Sequence, residues 1–379
     1  MIVRRIRFDR FRNIDSGDVS FCDGINVIYG ENAQGKTNIL EALWLFTGAK
    51  SFRAAKESEL VAYDKSSAEL KLDFFAENRE QSAEITVGEG KHASLNGIER
   101  GSVSKFGGMI KGVIFSPDHL SLIKDGPAAR RRFIDAAVIQ LKSGYASLLA
   151  KYNRAVTQRN SVLRDVRFHA DLLAILDAYE RQVALLGAKI IRHRLRYLQL
   201  INKYAPDIYS GLSGGRESIG IAYIRDCAES NDEPDRILPD GELPSAESIA
   251  ADLFERLKAC RDADILSGVT SVGPHRDDLL ITINGRAARR FGSQGQQRSC
   301  VLTLKLCEAS VLFETAGEQP LILLDDVMSE LDEQRQDYIL NHIGNRQVFI
   351  TCCDKNTIDK LKRGRAFLIE NGRIQPDGE

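Results

Sequence analysis

The front of the chain alternates apolar and polar positions with a period of two, which predicts β-strands. The predicted strands are 2–8, 19–21, 25–29, 68–75, 83–87 and 113–115. Residues 37–47 differ, because their apolar side chains recur three and four positions apart, as on one face of a helix. Asn96–Gly97 is a dipeptide typical of a two-residue hairpin turn. The pattern therefore predicts a sheet-rich region interrupted by one helix.

Between about residues 127 and 205 the apolar period changes to three and four, which predicts two or three antiparallel helices. This run is too short for an extended coiled-coil arm. Later in the chain, the predicted elements are a helix over 249–261, a hairpin at Asn284–Gly285, a long helix over 298–314 and buried strands at 321–324 and 347–350. We therefore predict an α/β fold with two lobes. Residues 1–118 plus 264–379 form one lobe, and the mostly helical residues 119–263 are inserted into it.

The charges are segregated along the chain although the net charge is only −1. Residues 101–200 hold 17 Lys and Arg against 7 Asp and Glu, whereas residues 201–264 hold 7 against 14. Such segregation suits a protein that contacts a polyanion on one surface. No apolar run reaches membrane-spanning length, and the seven cysteines form no CxxC pair, so we expect a cytoplasmic protein with reduced thiols and no membrane contact.

A phosphate-binding loop lies between the strand that ends at Tyr29 and the helix that follows. Its glycines allow backbone N–H groups to surround phosphate oxygens at the positive end of that helix. Lys36 supplies charge to the β- and γ-phosphates, and the Thr37 hydroxyl is a ligand for Mg²⁺. The loop therefore predicts an ATP site formed by Gly30, Glu31, Asn32, Ala33, Gln34, Gly35, Lys36 and Thr37.

Two carboxylates follow the buried strand at 321–324, nearly three hundred residues behind the loop. We expect Asp325 to hold Mg²⁺ and Asp326 to orient the attacking water, with Lys36 as the third catalytic residue. Many ATPases of this type carry Glu at the second position. Because Asp is one methylene shorter, we expect slow turnover. A nucleotide site divided in this way requires the two ends of the chain to fold together into one ATPase lobe.

A second phosphate-recognition surface is predicted at the start of the long helix near residue 298. A serine hydroxyl, a bare glycine backbone and a helix amino terminus suit phosphate. In one chain such a surface usually faces away from the phosphate loop, so we expect it to complete the site of a second copy, with Asp332 along the seam. The residues concerned are Ser293, Gln294, Gly295 and Gln296.

These motifs, in this order, resemble the SMC and RecF group of ABC-type ATPases. Finer strings resemble the RecF family in particular and extend over nearly the whole chain. They are Phe11–Asn13, Thr37–Ala42, Ser51–Arg53, Phe115–Asp118, Arg130–Asp135 and Val272–Asp278. Two departures concern hydrolysis: Thr351-Cys352-Cys353 stands where many ABC ATPases place a histidine, and Gly292-Ser293 opens the signature where a small residue and Ser-Gly-Gly are more usual.

The resemblance implies an ATP-dependent DNA-binding protein of recombinational repair that also serves replication restart and the SOS response. Such a protein dimerises on ATP, binds duplex DNA near single-strand gaps and works with RecR and RecO to load RecA. ATP would act mainly as a dimerisation switch with slow, DNA-stimulated hydrolysis. The resemblance also places Arg12 and Arg53 near the nucleotide or the DNA.

The cationic helical insert predicts where DNA would be contacted. Lys and Arg without base-reading partners favour phosphate contacts, which are independent of sequence and sensitive to salt. Lys151, Arg154 and Arg159 fall roughly along one helical face, so their replacement by Glu is expected to weaken DNA binding alone. The predicted DNA-binding residues are Arg130, Arg131, Lys151, Arg154 and Arg159.

Other classes share some of these motifs. A generic SMC-like or ABC-type ATPase with another partner is the main alternative. A transporter-type ATPase would need a transmembrane partner and offers no reason for a cationic insert. A nuclease would need a further acidic domain, and a structural SMC-like bridge would need long heptad arms, which the pattern does not show.

Overall fold

The computed structural model describes residues 1–53, 56–88, 90–106, 109–166, 168–225, 236–237, 241–343, 346–353 and 364–376. The chain divides into two compact units. Unit 1 consists of Met1–His119 and Lys305–Glu379, and unit 2 is Leu120–Leu304.

The strands, in chain order, are β1 (Ile2–Phe11), β2 (Ile14–Ser20), β3 (Ile25–Tyr29), β4 (Ala68–Ala76), β5 (Arg79–Val87), β6 (Lys91–Leu95), β7 (Ile98–Glu99), β8 (Gly112–Phe115), β9 (Ile219–Ile224), β10 (Arg236–Ile237), β11 (Asp278–Ile283), β12 (Arg286–Ala287), β13 (Leu321–Asp325), β14 (Val348–Cys352), β15 (Arg365–Glu370) and β16 (Arg373–Pro376). The α-helices are α1 (Lys36–Leu45), α2 (Ser121–Lys124), α3 (Pro127–Leu141), α4 (Tyr145–Asp165), α5 (Leu173–Ser213), α6 (Ala246–Ala259), α7 (Arg261–Ser267), α8 (Ala288–Phe291), α9 (Gln294–Ala316) and α10 (Glu333–Ile343).

Unit 1 contains two six-stranded sheets. One is antiparallel, in the order β2-β1-β4-β5-β6-β7, and the other is mainly parallel, in the order β16-β15-β3-β14-β13-β8. In the second sheet β3 pairs with β14 on one side and β15 on the other, with Ile25 opposite Val348. The early strand that precedes the predicted phosphate loop therefore lies between two late strands, which confirms that this sheet is assembled from distant parts of the chain.

The core of unit 1 joins both sheets through α1. The cluster of buried apolar residues includes Ile6 and Leu72 from the antiparallel sheet, Leu323 and Phe349 from the parallel sheet, and Leu43 from α1. Because α1 packs on apolar residues of both sheets, most of its circumference is buried. This burial fixes the direction in which the amino terminus of α1 points its N–H groups.

Unit 2 combines long helices with a four-stranded antiparallel sheet in the order β10-β9-β11-β12. Helix α5 has 41 residues and packs against α4, α6 and β9. The predicted Asn284–Gly285 hairpin is confirmed: both residues have positive φ, and β11 pairs with β12 across them. The hairpin at Asn96–Gly97 between β6 and β7 is confirmed in unit 1 on the same grounds.

The second boundary of the inserted lobe differs from the predicted one. The sequence pattern placed residues 264–304 with the ATPase lobe, whereas the structure groups them with unit 2. The reason is strand pairing, because β11 joins β9 over six residue pairs and so belongs to the same sheet. Among the helices that the structure describes, none is long and apolar enough to cross a membrane.

Candidate nucleotide site

The predicted phosphate loop occupies the turn between β3 and α1. Two of its glycines adopt positive φ, 153° at Gly30 and 111° at Gly35. A Cβ at Gly30 would lie 2.3 Å from Ile369 O, and one at Gly35 would lie 2.6 Å from Asn13 Oδ1. Glycine is therefore favoured at both positions for conformation, and at Gly30 also for space, because the atom that a Cβ would meet there is a backbone oxygen.

The remaining loop residues hold the loop in place. Lys36 Nζ donates to Gly30 O at 2.6 Å and to Glu31 O at 2.8 Å. Gln34 O accepts from Asn13 Nδ2 at 3.0 Å, and Gln34 Oε1 accepts from the Asn371 N–H at 2.6 Å. The loop is thus tied to neighbouring segments before any ligand is considered.

Thr37 and Asp325 meet although 288 positions separate them. Thr37 Oγ1 donates to Asp325 Oδ1 at 2.7 Å, and Thr351 Oγ1 donates to the same oxygen at 2.9 Å. Asp325 is buried at the end of β13, and burial raises the pKa of its carboxyl group above the ordinary value. The parallel sheet thereby places a hydroxyl and a carboxylate beside the Lys36 loop.

Asp326 lies directly after β13 with φ at 52°, which is uncommon for a residue other than glycine. Its N–H donates to Thr351 Oγ1 at 2.9 Å, and its carboxylate Oδ1 accepts from Ser329 Oγ at 3.0 Å. Thr351 thus contacts both acidic residues. The backbone strain at Asp326 is typical of a position where side-chain direction matters to function.

A cavity of about 760 Å³ opens in unit 1 over these residues. Its walls include Lys36, Thr37, Asp325 and Asp326, and Ser58, Glu59 and Val61–Lys65 also line it. Tyr63 is 91% exposed. The volume lies within the range of known ligand pockets and is sufficient for a nucleotide.

Arg12 and Arg53 both line this cavity. Arg12 forms a bidentate ion pair with the buried Glu41, with Nε–Oε2 at 2.9 Å and Nη2–Oε1 at 2.8 Å. Arg53 Nη1 donates to Asn38 Oδ1 at 2.9 Å. Arg12 is therefore fixed in orientation at the edge of the cavity.

Cys353, the last residue of the Thr351-Cys352-Cys353 string, contacts the phosphate loop. Its Sγ lies 3.0 Å from Asn32 Oδ1 and 3.5 Å from Lys36 Nζ. A thiol is only a weak hydrogen-bond donor, so this contact holds Asn32 weakly.

The residues of the predicted second phosphate-recognition surface lie in unit 2 at the start of α9. Ser293 Oγ accepts from the Gln296 N–H at 3.2 Å, and the Ser293 N–H donates to Gln296 Oε1 at 2.7 Å. This reciprocal pair is a capping box. Gln294 and Gly295 form the first turn, and Ser293 and Gln294 are exposed.

Asp332 caps helix α10. Its Oδ1 accepts from the Arg335 N–H at 3.0 Å, and its other oxygen pairs with the Arg335 guanidinium. The backbone hydrogen bond lowers the pKa of the carboxyl group. Asp332 remains exposed, so a further role at a seam between two copies stays a prediction.

Two of the five predicted DNA-binding residues are buried, which makes those two predictions wrong. Arg130 is 4% exposed and forms a bidentate ion pair with Asp278 at 2.6 and 2.7 Å. Arg159 is 0% exposed and pairs with Asp264 at 2.7 Å and Glu180 at 3.0 Å.

Arg159 therefore does not share an exposed face with Lys151 and Arg154, which both point to solvent. Arg131 is half-buried and donates to Asp277 O at 2.7 Å. The DNA role of Arg131, Lys151 and Arg154 stays a prediction.

Several site residues were missed from the sequence. Thr351 contacts both acidic residues, Asn13 and Asn38 are hydrogen bonded beside the loop, and Val61–Tyr63 line the cavity. Strand β14 pairs with both β3 and β13, so its carboxyl end lies between the loop and the carboxylates. No local signal in the sequence indicates this pairing, and the Thr351-Cys352-Cys353 string by itself shows only that a histidine is lacking.

Comparisons with known proteins agree with this geometry. The family model described as RecF/RecN/SMC N terminal domain matches residues 2–374. The DNA replication and repair protein RecF of Clostridium acetobutylicum is 37% identical over 379 residues, covering 99% of each chain. The protein of the same name from Bacillus cereus is 35% identical over 381 residues, covering 99% of this chain and 98% of its own.

Solved structures extend the likeness to three dimensions. A structure of the recombination mediator protein RecF with ATPrS, described as part of the RecFOR pathway, matches with a TM-score of 0.88 at 34% identity, covering 99% of this chain and 98% of its own. A second RecF structure, with ATP, also has a TM-score of 0.88. An Smc head domain from Pyrococcus furiosus, 16% identical with a TM-score of 0.54, shares the fold.

Proposed function

Because the chain belongs to the RecF family of DNA replication and repair proteins, we propose that it is an ATP-dependent DNA-binding protein in which ATP joins two copies. The single observation that carries the proposal is the Thr37–Asp325 contact of 2.7 Å beside Lys36. It unites both halves of a nucleotide site in one cavity. The two structural relatives described with ATP or ATPrS support the same assignment.

The ligand set suits ATP with Mg²⁺. Mg²⁺ prefers hard oxygen ligands, and the Thr37 hydroxyl and the Asp325 carboxylate lie within hydrogen-bonding distance of each other. When bound, the ion would neutralise phosphate charge. Lys36 would exchange its bonds to the loop carbonyls for bonds to the β- and γ-phosphates. The exposed Tyr63 ring, which lines the same cavity, would contact the base.

Hydrolysis is proposed to be slow. Asp326 would orient the attacking water, and its short carboxylate is already hydrogen bonded to Ser329 Oγ. The Thr351-Cys352-Cys353 string offers no imidazole where many ABC ATPases place a histidine. ATP would therefore act chiefly as a switch for dimerisation, and hydrolysis would release the dimer.

Dimerisation would place Ser293 of each copy on the phosphates held by the other. An exposed serine at the amino terminus of a helix is suited to an anion. The closed dimer would hold duplex DNA near single-strand gaps through phosphate contacts from Arg131, Lys151 and Arg154. From the pathway named for the structural relatives, we further propose RecR and RecO as partners in RecA loading, in the cytoplasm.

The test is fluorescence anisotropy on gapped and blunt duplex DNA with ATP, ADP or no nucleotide. Wild type is expected to bind DNA more tightly with ATP, and Ser293→Arg is expected to lose that gain while still binding ATP, because the bulky cation blocks the surface. Ser248→Arg, which adds the same charge at an exposed serine of α6, is the control. The proposal would be contradicted by a DNA affinity that is the same with ATP, with ADP and without nucleotide, and the same in wild type and Ser293→Arg.

A further inference from the structure

The second phosphate-recognition surface (Ser293, Gln294, Gly295 and Gln296) is called the Ser293 surface below. In unit 2, a short chain of hydrogen bonds connects to it through Gln296. Gln296 Nε2 donates to Glu217 Oε1 at 2.6 Å, and Tyr209 OH donates to Glu217 Oε2 at 2.8 Å. Tyr209 belongs to the last turns of α5, and Glu217 lies just before β9. A single carboxylate thus connects the end of one helix to the first turn of another.

Glu217 determines which way the Gln296 amide points. The amide has one oxygen and one NH₂ group, and the two ends need opposite partners. Because Glu217 accepts only from the NH₂ end, Gln296 Oε1 faces the Ser293 N–H and closes the capping box. A reversed amide would set Gln296 Oε1 against a carboxylate and leave the Ser293 N–H without its partner.

The same arrangement leaves the Ser293 hydroxyl able to donate. Ser293 Oγ accepts from the Gln296 N–H, so one lone pair is used within the chain. A serine hydroxyl carries one donor besides its two lone pairs, and Ser293 is exposed. A phosphate is an acceptor, so this is the polarity that recognition of the γ-phosphate of a second copy requires.

We propose that Glu217 is a positioning residue for the Ser293 surface. It acts through its hydrogen bond with Gln296, and the hydrogen bond from Tyr209 holds its carboxylate in place. This inference rests on the proposed joining of two copies by ATP. Glu217 itself contacts neither nucleotide nor metal in that arrangement. Its function depends on hydrogen-bond acceptance, and its negative charge near a helix amino terminus opposes an incoming phosphate.

The conservative and the disruptive variant are therefore expected to behave differently. Glu217→Gln keeps an acceptor for Gln296 Nε2 and removes the opposing charge, so ATP-dependent dimerisation is expected at wild-type strength or above. Glu217→Leu removes the acceptor and frees the Gln296 amide to turn, so the dimer Kd is expected to rise about tenfold or more. Glu255→Leu, at an exposed glutamate of α6, is the matched control and is expected to dimerise like wild type.

The measurement is sedimentation velocity with and without ATP, beside binding of a fluorescent ADP analogue and thermal unfolding. ADP affinity reports the unit 1 site in each monomer and is expected to stay unchanged in every Glu217 variant. Unchanged dimerisation of Glu217→Leu would overturn the inference. So would equal loss of dimerisation in Glu217→Gln and Glu217→Leu with lowered melting temperatures, because that outcome indicates a structural role alone.

Mixing experiments assign the defect to one side of the interface. Lys36→Ala damages the phosphate loop and Glu217→Leu the facing surface, so an equimolar mixture can form one site with both parts intact. ATP-dependent dimers are expected to reappear in this mixture. A mixture of Glu217→Leu with Ser293→Arg damages the same part in both chains and is expected to show no recovery.

Recovery in both mixtures, or in neither, would overturn the assignment of Glu217 to the Ser293 surface. If wild type itself does not dimerise with ATP, the proposed function fails. That failure is distinguishable from failure of the Glu217 inference, which requires a wild-type dimer.

Discussion

At the scale of single residues, Thr351 controls the geometry of the acidic pair. Its hydroxyl donates to Asp325 and accepts from the Asp326 N–H, and the residue is 1% exposed. Thr351→Val keeps the shape and removes both hydrogen bonds. We expect Mg²⁺-dependent ATP hydrolysis to fall about 10- to 100-fold, as for other partners that orient a metal ligand.

An ATPase titration with Mg²⁺, beside nucleotide binding without metal, checks this prediction. Metal-free binding is expected to change little, because Lys36 and the loop are untouched. Thr303→Val is the control, since that buried hydroxyl donates to Ser299 O within its own helix. Equal losses in the two variants would show that the effect is packing rather than orientation of Asp325.

His275 provides a second prediction at this scale. Its Nδ1 lies 2.7 Å from Tyr152 OH and its Nε2 lies 3.1 Å from Thr270 O, an arrangement that suits a neutral ring with the proton on Nε2. Burial lowers the pKa of His275 from 6.5 to about 4. At this residue the unfolded chain therefore binds a proton that the folded chain does not bind. The resulting contribution to the free energy of unfolding is fully present above pH 6.5 and is lost as the pH falls toward 4.

Between pH 7 and pH 5 this difference in proton binding lowers the free energy of unfolding by about 2 kcal/mol. His275→Gln has no ionisable group and is expected to lose that part of the pH dependence. Urea unfolding of both proteins at the two pH values measures it. A variant whose unfolding free energy still falls as steeply as that of wild type would contradict the prediction.

The site residues that could be predicted were those carried by contiguous motifs. Lys36, Thr37 and Asp325 follow from their own strings, because glycine spacing and a buried strand determine local geometry. Thr351 could not be identified in this way, since its role depends on β14 lying between β3 and β13. Arg159 was misassigned because its partner Asp264 is 105 positions away.

At the scale of elements, helix α4 carries basic residues on both its buried and its exposed face. Arg159 faces inward onto Glu180 and Asp264, whereas Lys151 and Arg154 face solvent. Arg159→Met would leave buried carboxylates without their cation. We expect a loss of about 3–5 kcal/mol in unfolding free energy, measured by urea denaturation.

Lys151→Glu with Arg154→Glu is expected to change unfolding free energy by less than about 1 kcal/mol while weakening DNA binding and its salt dependence. Anisotropy across a salt series measures the second effect. The combination of weak DNA binding and wild-type stability in Arg159→Met would restore the original assignment of Arg159 to the DNA surface.

Element positions were more predictable than their groupings. Strand β3 spans residues 25–29 as predicted, and both Asn-Gly hairpins form, because these signals are local. Residues 264–304 were placed in the wrong unit, since nothing local indicates that β11 pairs with β9. Periodicity identifies a strand, whereas its partner depends on the whole fold.

At the scale of the whole molecule, one parallel sheet joins residues far apart in sequence. Strand β3 pairs with β14 and β15, the Gly30 backbone packs against Ile369 O, and Gln34 accepts from the Asn371 N–H. The divided nucleotide motif made this arrangement predictable in outline. The order of the strands was not, because the motif says only that the two halves meet.

That sheet has a consequence during protein synthesis. The phosphate loop leaves the ribosome early, yet β14 and β15, which flank it, follow more than three hundred residues later. At ordinary translation rates the delay is on the order of tens of seconds. Throughout it the loop lacks the strands that flank it, so we expect a nascent chain to bind no nucleotide. If ATP joins two copies as proposed, a chain truncated before β14 is then expected to be excluded from the dimer.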